Sequence, residues 1–121
     1  RRYDMDYSKF KVLICDDSIL ARKSLSGYLS TLGVTNISEV ANGQDAVEFC
    51  KNEKPDIAFL DIIMPVKDGI TATKEIVELK NDTIIIMCSS VGTQTHLREA
   101  IKAGAKDFIQ KILIEKLKTI K

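Results

Sequence analysis

The sequence has almost no charge excess: eighteen lysines and arginines stand against seventeen aspartates and glutamates, a formal net charge of +1. That excludes wholesale electrostatic gripping of DNA, RNA or an anionic bilayer, so partners must be chosen by local chemistry. No run approaches the roughly 20 apolar residues of a membrane span, and the polar start RRYDMDYSKF has no signal-peptide core, which points to a cytoplasmic protein. Cysteine is scarce. Cys15, Cys50 and Cys88 are an odd number without a C-x-x-C pairing, and two of them lie in apolar runs. A disulfide framework is therefore not expected, and the three read as reduced packing residues. The sole histidine, His96, reads as a solvated helix residue without a catalytic role.

What is present is regular. A chain of 121 residues, 45% hydrophobic and 29% charged, reads as one continuous domain over 1–121 with a loosely ordered start at Arg1 to Ser8. At that length about two-thirds of the extended-state surface can be buried, so neither disulfide nor structural metal is needed. Apolar runs at Val12 to Cys15, Asn36 to Val40, Ile57 to Leu60, Ile84 to Cys88 and Asp107 to Gln110 alternate with helix-length amphipathic stretches. Asp17 or Ser18 can cap the first helix, and Gly33 follows its last apolar residue. Asn42-Gly43 reads as a turn, Pro55 stops the second helix, and Leu113 to Lys121 forms a last helix.

Strict alternation of this kind predicts an α/β fold, a doubly wound (βα)5 parallel sheet with helices on both faces. The first, third and fourth strands are wholly apolar, whereas the second carries Glu39 and the fifth carries Asp107 and Gln110. The second and fifth should be edges, which selects the flavodoxin-like order 2-1-3-4-5. In that order the switch point lies beyond the C-terminal ends of the first and third strands, where ligands bind.

Asp16 and Asp17 end the first strand and Asp61 ends the third, so three carboxylates should converge there. Like charges a few ångströms apart cost on the order of 1 kcal/mol per pair even in water, so a cation must compensate. All-oxygen ligands in a wet cleft suit Mg²⁺ rather than zinc. Ser89 after the fourth strand and Lys111 after the fifth add a hydroxyl and a positive charge on the same rim, completing a phosphoryl-transfer constellation. Taken singly, these acids and serines are as well explained by helix capping, and Lys111 by solvation; the joint placement carries the reading.

With Asp16-Asp17, FLDIIMPVKDG around Asp61, Ser89, AGAKDF and Lys111 in place, the sequence from about Lys9 onward resembles response-regulator receiver domains, most of all single-domain chemotaxis regulators of the CheY kind. The resemblance implies a phosphoacceptor switch of a two-component system. Asp61 would take a phosphoryl group from a histidine kinase, with Mg²⁺ held by Asp16, Asp17, Asp61 and the Ile63 carbonyl. Ser89 and Lys111 would bind the phosphoryl oxygens, and Ser89 with Phe108 would relay the state to the face of the fourth helix, fifth strand and fifth helix. Such a domain promotes its own phosphorylation and dephosphorylation without turning over a separate substrate, and acts on a downstream protein target or a fused output domain, with no nucleic acid or membrane contact of its own.

Two departures from the family pattern stand out. Ile112 follows Lys111 where proline is usual, and apolar Ile63 and Val91 occupy the positions that tune dephosphorylation, which implies a long-lived phosphoryl form. Three other readings compete: a metal-dependent phosphatase with an aspartyl nucleophile, a flavin or nucleotide binder of the same topology, and a receiver-shaped interaction module that does not switch. The phosphatase would want a second acid at Ile63, and a phosphate loop would not begin with two acids.

Overall fold

The structure, a computed structural model, describes residues 6–90 and 94–111. Five parallel strands, β1 (Lys11–Cys15), β2 (Asn36–Val40), β3 (Ile57–Asp61), β4 (Ile84–Ser89) and β5 (Asp107–Gln110), form one sheet in the order β2-β1-β3-β4-β5. Four α-helices lie among the described residues: α1 (Ile19–Thr31), α2 (Gly43–Glu53), α3 (Gly69–Glu78) and α4 (Gln94–Ala103). The expected edges are the edges. The expected last helix, Leu113 to Lys121, falls outside the described residues.

Two apolar layers follow from the two-residue period of the strands. Leu13, Cys15, Ala58, Leu60, Ile85 and Met87 point to one face, where they meet Ala46, Val47 and Cys50 of α2, Ala72 and Ile76 of α3 and Ala100 of α4. Val12, Ile14, Phe59 and Cys88 point to the other and pack with Leu25 and Leu29 of α1. Strands buried on both faces must be apolar throughout, which is why β1, β3 and β4 read as continuous hydrophobic runs.

Boundaries differ from the sequence reading at instructive points. β3 and β4 each run one residue further than expected, taking Asp61 and Ser89 into the sheet. Asn42 is a helix cap rather than part of a free turn: its side-chain oxygen accepts from the Asp45 amide, and α2 begins at Gly43. Ser18, not Asp17, caps α1 by accepting from the Ala21 amide. Gly33 does adopt the left-handed conformation, φ +99°, that ends α1. At the start, Tyr7–Lys9 form a single 3-10 turn capped by Asp6; residues 1–5 lie outside the described part. His96 is half-buried on α4, not solvated.

Candidate functional site

Parallel register fixes where the strand tips meet. Cys15 pairs with Leu60, so Asp16 and Asp61 follow side by side at the tips of β1 and β3. Asp61 pairs with Cys88 of β4, and Ser89 pairs with Gln110 of β5, directly before Lys111. Chain segments far apart in sequence thus deliver their polar ends to one rim.

Asp16, Asp17 and Asp61 each place a carboxylate oxygen within 4.8 Å of the others. Asp16 and Asp61 are buried, Asp17 is exposed. Lys111 Nζ lies 2.7 Å from Asp16 Oδ2 and 3.2 Å from Asp61 Oδ2. The other Asp16 oxygen, Oδ1, accepts from the Ser18 amide at 2.9 Å. One ammonium therefore serves two buried carboxylates, and a third lies alongside.

The electrostatics register this shortage of positive charge. Burial, then the neighbouring Asp16, push the Asp61 carboxyl above its ordinary value, and Lys111 and the Ile62 amide only partly oppose them. Burial by itself would lower the Lys111 pKa, but the Asp16 hydrogen bond and the two carboxylate charges outweigh it and raise it. The donor set is oxygen only, acidic and open on the Asp17 side, so the residues present fit a hard divalent cation of the Mg²⁺ kind.

The loop from β3 to α3 is held tightly against this rim. The Gly69 amide donates to the Ile62 carbonyl at 2.7 Å, and Lys67 N–H donates to the Pro65 carbonyl at 2.7 Å around Val66, whose φ is +70°. From α2, the Gly43 amide donates to the Lys67 carbonyl at 3.1 Å. Beneath it, Cys15 Sγ donates to the Asn42 carbonyl at 3.2 Å and lies 3.2 Å from Met64 Sδ.

Of the residues singled out from the sequence, Asp16, Asp17, Asp61 and Lys111 are brought together. Ser89 is buried at the tip of β4. Ile63 sits on the β3–α3 loop with its side chain exposed, and Phe108 is half-buried, in register with Met87 and packed against the core layer of α2, α3 and α4. Val91 and Ile112 lie outside the described residues. Sequence reasoning did not find Arg22, whose guanidinium donates to the Asp16 carbonyl at 2.7 Å. A basic residue in the first turn after the two acids, and an acid on β2 to hold it, were the available signal.

The sequence model of the response regulator receiver domain matches residues 12–119. The chain belongs to the response-regulator receiver family. This receiver domain is 46% identical over 101 residues to the chemotaxis protein CheY of Thermotoga maritima and 45% identical over 101 residues to that of Bacillus subtilis, covering 84% of each chain in both comparisons. Among solved structures it is similar to a CheX-CheY-BeF3-Mg complex from Borrelia burgdorferi, with a TM-score of 0.80, 35% identity and coverage of 93% of this chain and 90% of that one. It is also similar to the receiver domain of the histidine kinase CKI1 from Arabidopsis thaliana complexed with Mg²⁺ and BeF3⁻, with a TM-score of 0.78, 27% identity and coverage of 93% and 92%. Receiver domains are the phosphoacceptor switches of two-component systems, and this one is CheY-like. Among the described residues no helix is long and apolar enough to cross a membrane.

Proposed function

We propose that Asp61 is the phosphoacceptor, and that residues 1–121 form one receiver domain working in the cytoplasm. The observation that supports this most is the sharing of the Lys111 ammonium between Asp16 and Asp61, inside a cluster of three carboxylates. A carboxylate oxygen of Asp61 attacks phosphorus in a histidine kinase's phosphohistidine; the P–N bond breaks, the electron pair leaves with the imidazole nitrogen, and an acyl phosphate forms on Asp61. Asp16, Asp17, Asp61 and the Ile63 carbonyl would hold Mg²⁺, which when bound supplies positive charge against the transferring group. Lys111, in contact with both Asp16 and Asp61, supplies a fixed cation beside the transferring group, and the Ser89 hydroxyl binds a phosphoryl oxygen.

Phosphorylation adds roughly one negative charge relative to the carboxylate, with strong acceptor oxygens beside Ser89. Movement of Ser89 toward them opens space behind β4, and Phe108 on the neighbouring strand fills it. Phenylalanine has no hydroxyl, so packing alone reports the state at the face of α4 and β5 to a downstream protein or fused output domain. A switch from mostly off to mostly on needs roughly 5 kcal/mol of differential stabilisation, within reach of several charge-assisted hydrogen bonds.

The test is incubation with a small phosphodonor and Mg²⁺, followed by intact-mass measurement. The wild type should gain the mass of one phosphoryl group and Asp61→Asn none. Modification of both, or of neither, overturns the assignment.

A further inference from the structure

Asp16 lies one residue past the last registered pairs of β1, Cys15 with Val40 and Cys15 with Leu60. Its amide still donates to the Val40 carbonyl at 3.2 Å, and its own carbonyl accepts from Arg22 Nη1 at 2.7 Å. Arg22 is not a loose surface side chain. Its backbone is fixed in the first turn of α1, where its amide donates to the Ser18 carbonyl at 3.0 Å. Its guanidinium Nε bonds Glu39 Oε1 on β2 at 3.1 Å, with Arg22 and Glu39 side chains only 15% and 21% exposed. Lys23, 67% exposed, takes the other Glu39 oxygen at 3.0 Å. A connected path therefore runs from the edge strand through Glu39 and Arg22 to the peptide that joins Asp16 to Asp17.

That peptide is a rigid plane, so the direction of the Asp16 carbonyl sets where the Asp17 Cα stands, from which the Asp17 side chain extends. We propose that Arg22 is a positioning residue for the divalent-cation site, fixing the Asp16–Asp17 peptide through its guanidinium, with Glu39 as the partner that aims it. The inference rests on the reading that the three acids hold Mg²⁺.

Two roles for Arg22 give opposite signs. As a mere positive charge near the acids it would repel a divalent cation, so its removal would tighten binding. As a positioning residue its removal loosens the paired acids and weakens binding, and the loss of such an outer partner typically costs 10- to 100-fold in metal affinity. Glu39 favours the second role, because an anion bound to the guanidinium cancels much of its field at the site while leaving its geometry intact.

The experiment is calorimetric titration of Mg²⁺ into wild type, Arg22→Met, Arg22→Lys and Glu39→Gln at one ionic strength, with thermal melts recorded without metal. Arg22→Met should raise the Mg²⁺ Kd about tenfold, Arg22→Lys should recover part of the loss because one donor can still reach the carbonyl, and Glu39→Gln should give a severalfold rise. Arg22→Met binding as tightly as wild type, or more tightly, overturns the proposal. Should Arg22→Met not fold, Arg22→Lys decides, because it keeps the positive charge and loses the guanidinium fork: a Kd there equal to that of wild type overturns the proposal. A wild type that takes up no Mg²⁺ is a separate result, sinking the reading of the acids and this inference with it.

Discussion

The Lys111 ammonium sits closer to Asp16, at 2.7 Å, than to Asp61, at 3.2 Å. The lysine is thus bound more closely to Asp16, an acid of the proposed cation site, than to Asp61, the proposed phosphoacceptor. It competes for the same oxygens that a metal needs.

From that competition, Lys111→Met should bind Mg²⁺ about five-fold more tightly than wild type, the equivalent of roughly 1 kcal/mol of relieved repulsion. The same variant should accept phosphoryl groups from a small phosphodonor about a hundredfold more slowly, because a positioned cation is missing where charge develops. Calorimetry and timed intact-mass measurement read the two effects separately. Equal changes in the same direction would mean the lysine acts only on folding.

The raised Asp61 carboxyl has a consequence for stability without metal. A carboxyl held above its unfolded value favours the folded state when protonated, and that contribution is lost as pH rises from about the ordinary value of 3.8 through the raised one. Asp61→Asn should therefore melt higher than wild type at neutral pH by a few degrees, corresponding to about 1 kcal/mol. The difference should shrink below the ordinary carboxylate range, and saturating Mg²⁺ should reverse it. A gap that stays constant with pH would show that charge is not its cause.

Gly69 begins α3, where alanine is ordinarily the better residue by about 1 kcal/mol. Here a Cβ would stand 2.0 Å from the Asp61 carbonyl oxygen and 2.8 Å from Met87 Cε. Gly69→Ala should accordingly destabilise by about 2 kcal/mol in denaturant unfolding, against propensity, and slow phosphorylation by displacing Asp61. A stabilised variant would show that the loop yields at no cost.

All three cysteines are buried, and burial pushes each thiol up to about 12. The folded protein should resist a thiol reagent at mildly alkaline pH, and all three should react once denaturant is added. Rapid labelling of the native protein at Cys15 or Cys50 would contradict the packing of one core layer, and at Cys88 that of the other.

Much of this architecture was legible because burial on two faces leaves a crude mark: VLIC, IAFL and IIIMC can only be central strands, and Glu39, Asp107 and Gln110 can only belong to edges. The acids at 16, 17 and 61 were legible for a related reason, since the strand order alone brings their backbones together. Side-chain partnerships across elements left no such mark. Glu39 announced an edge strand but not its hold on Arg22, and Asn42-Gly43 looks the same in sequence whether it makes a turn or caps a helix. The charged residues around His96 on α4 likewise carry no sign of how deeply that helix packs.

The parallel register places the compensating cation at the end of the last strand, 50 residues beyond Asp61. During synthesis from the N-terminus, β1 and β3 can pair before position 111 has been added, leaving two acids opposed with nothing but solvent or a borrowed ion between them. The acids can thus be brought together before their own lysine is available, and until it arrives a divalent ion would stand in for it.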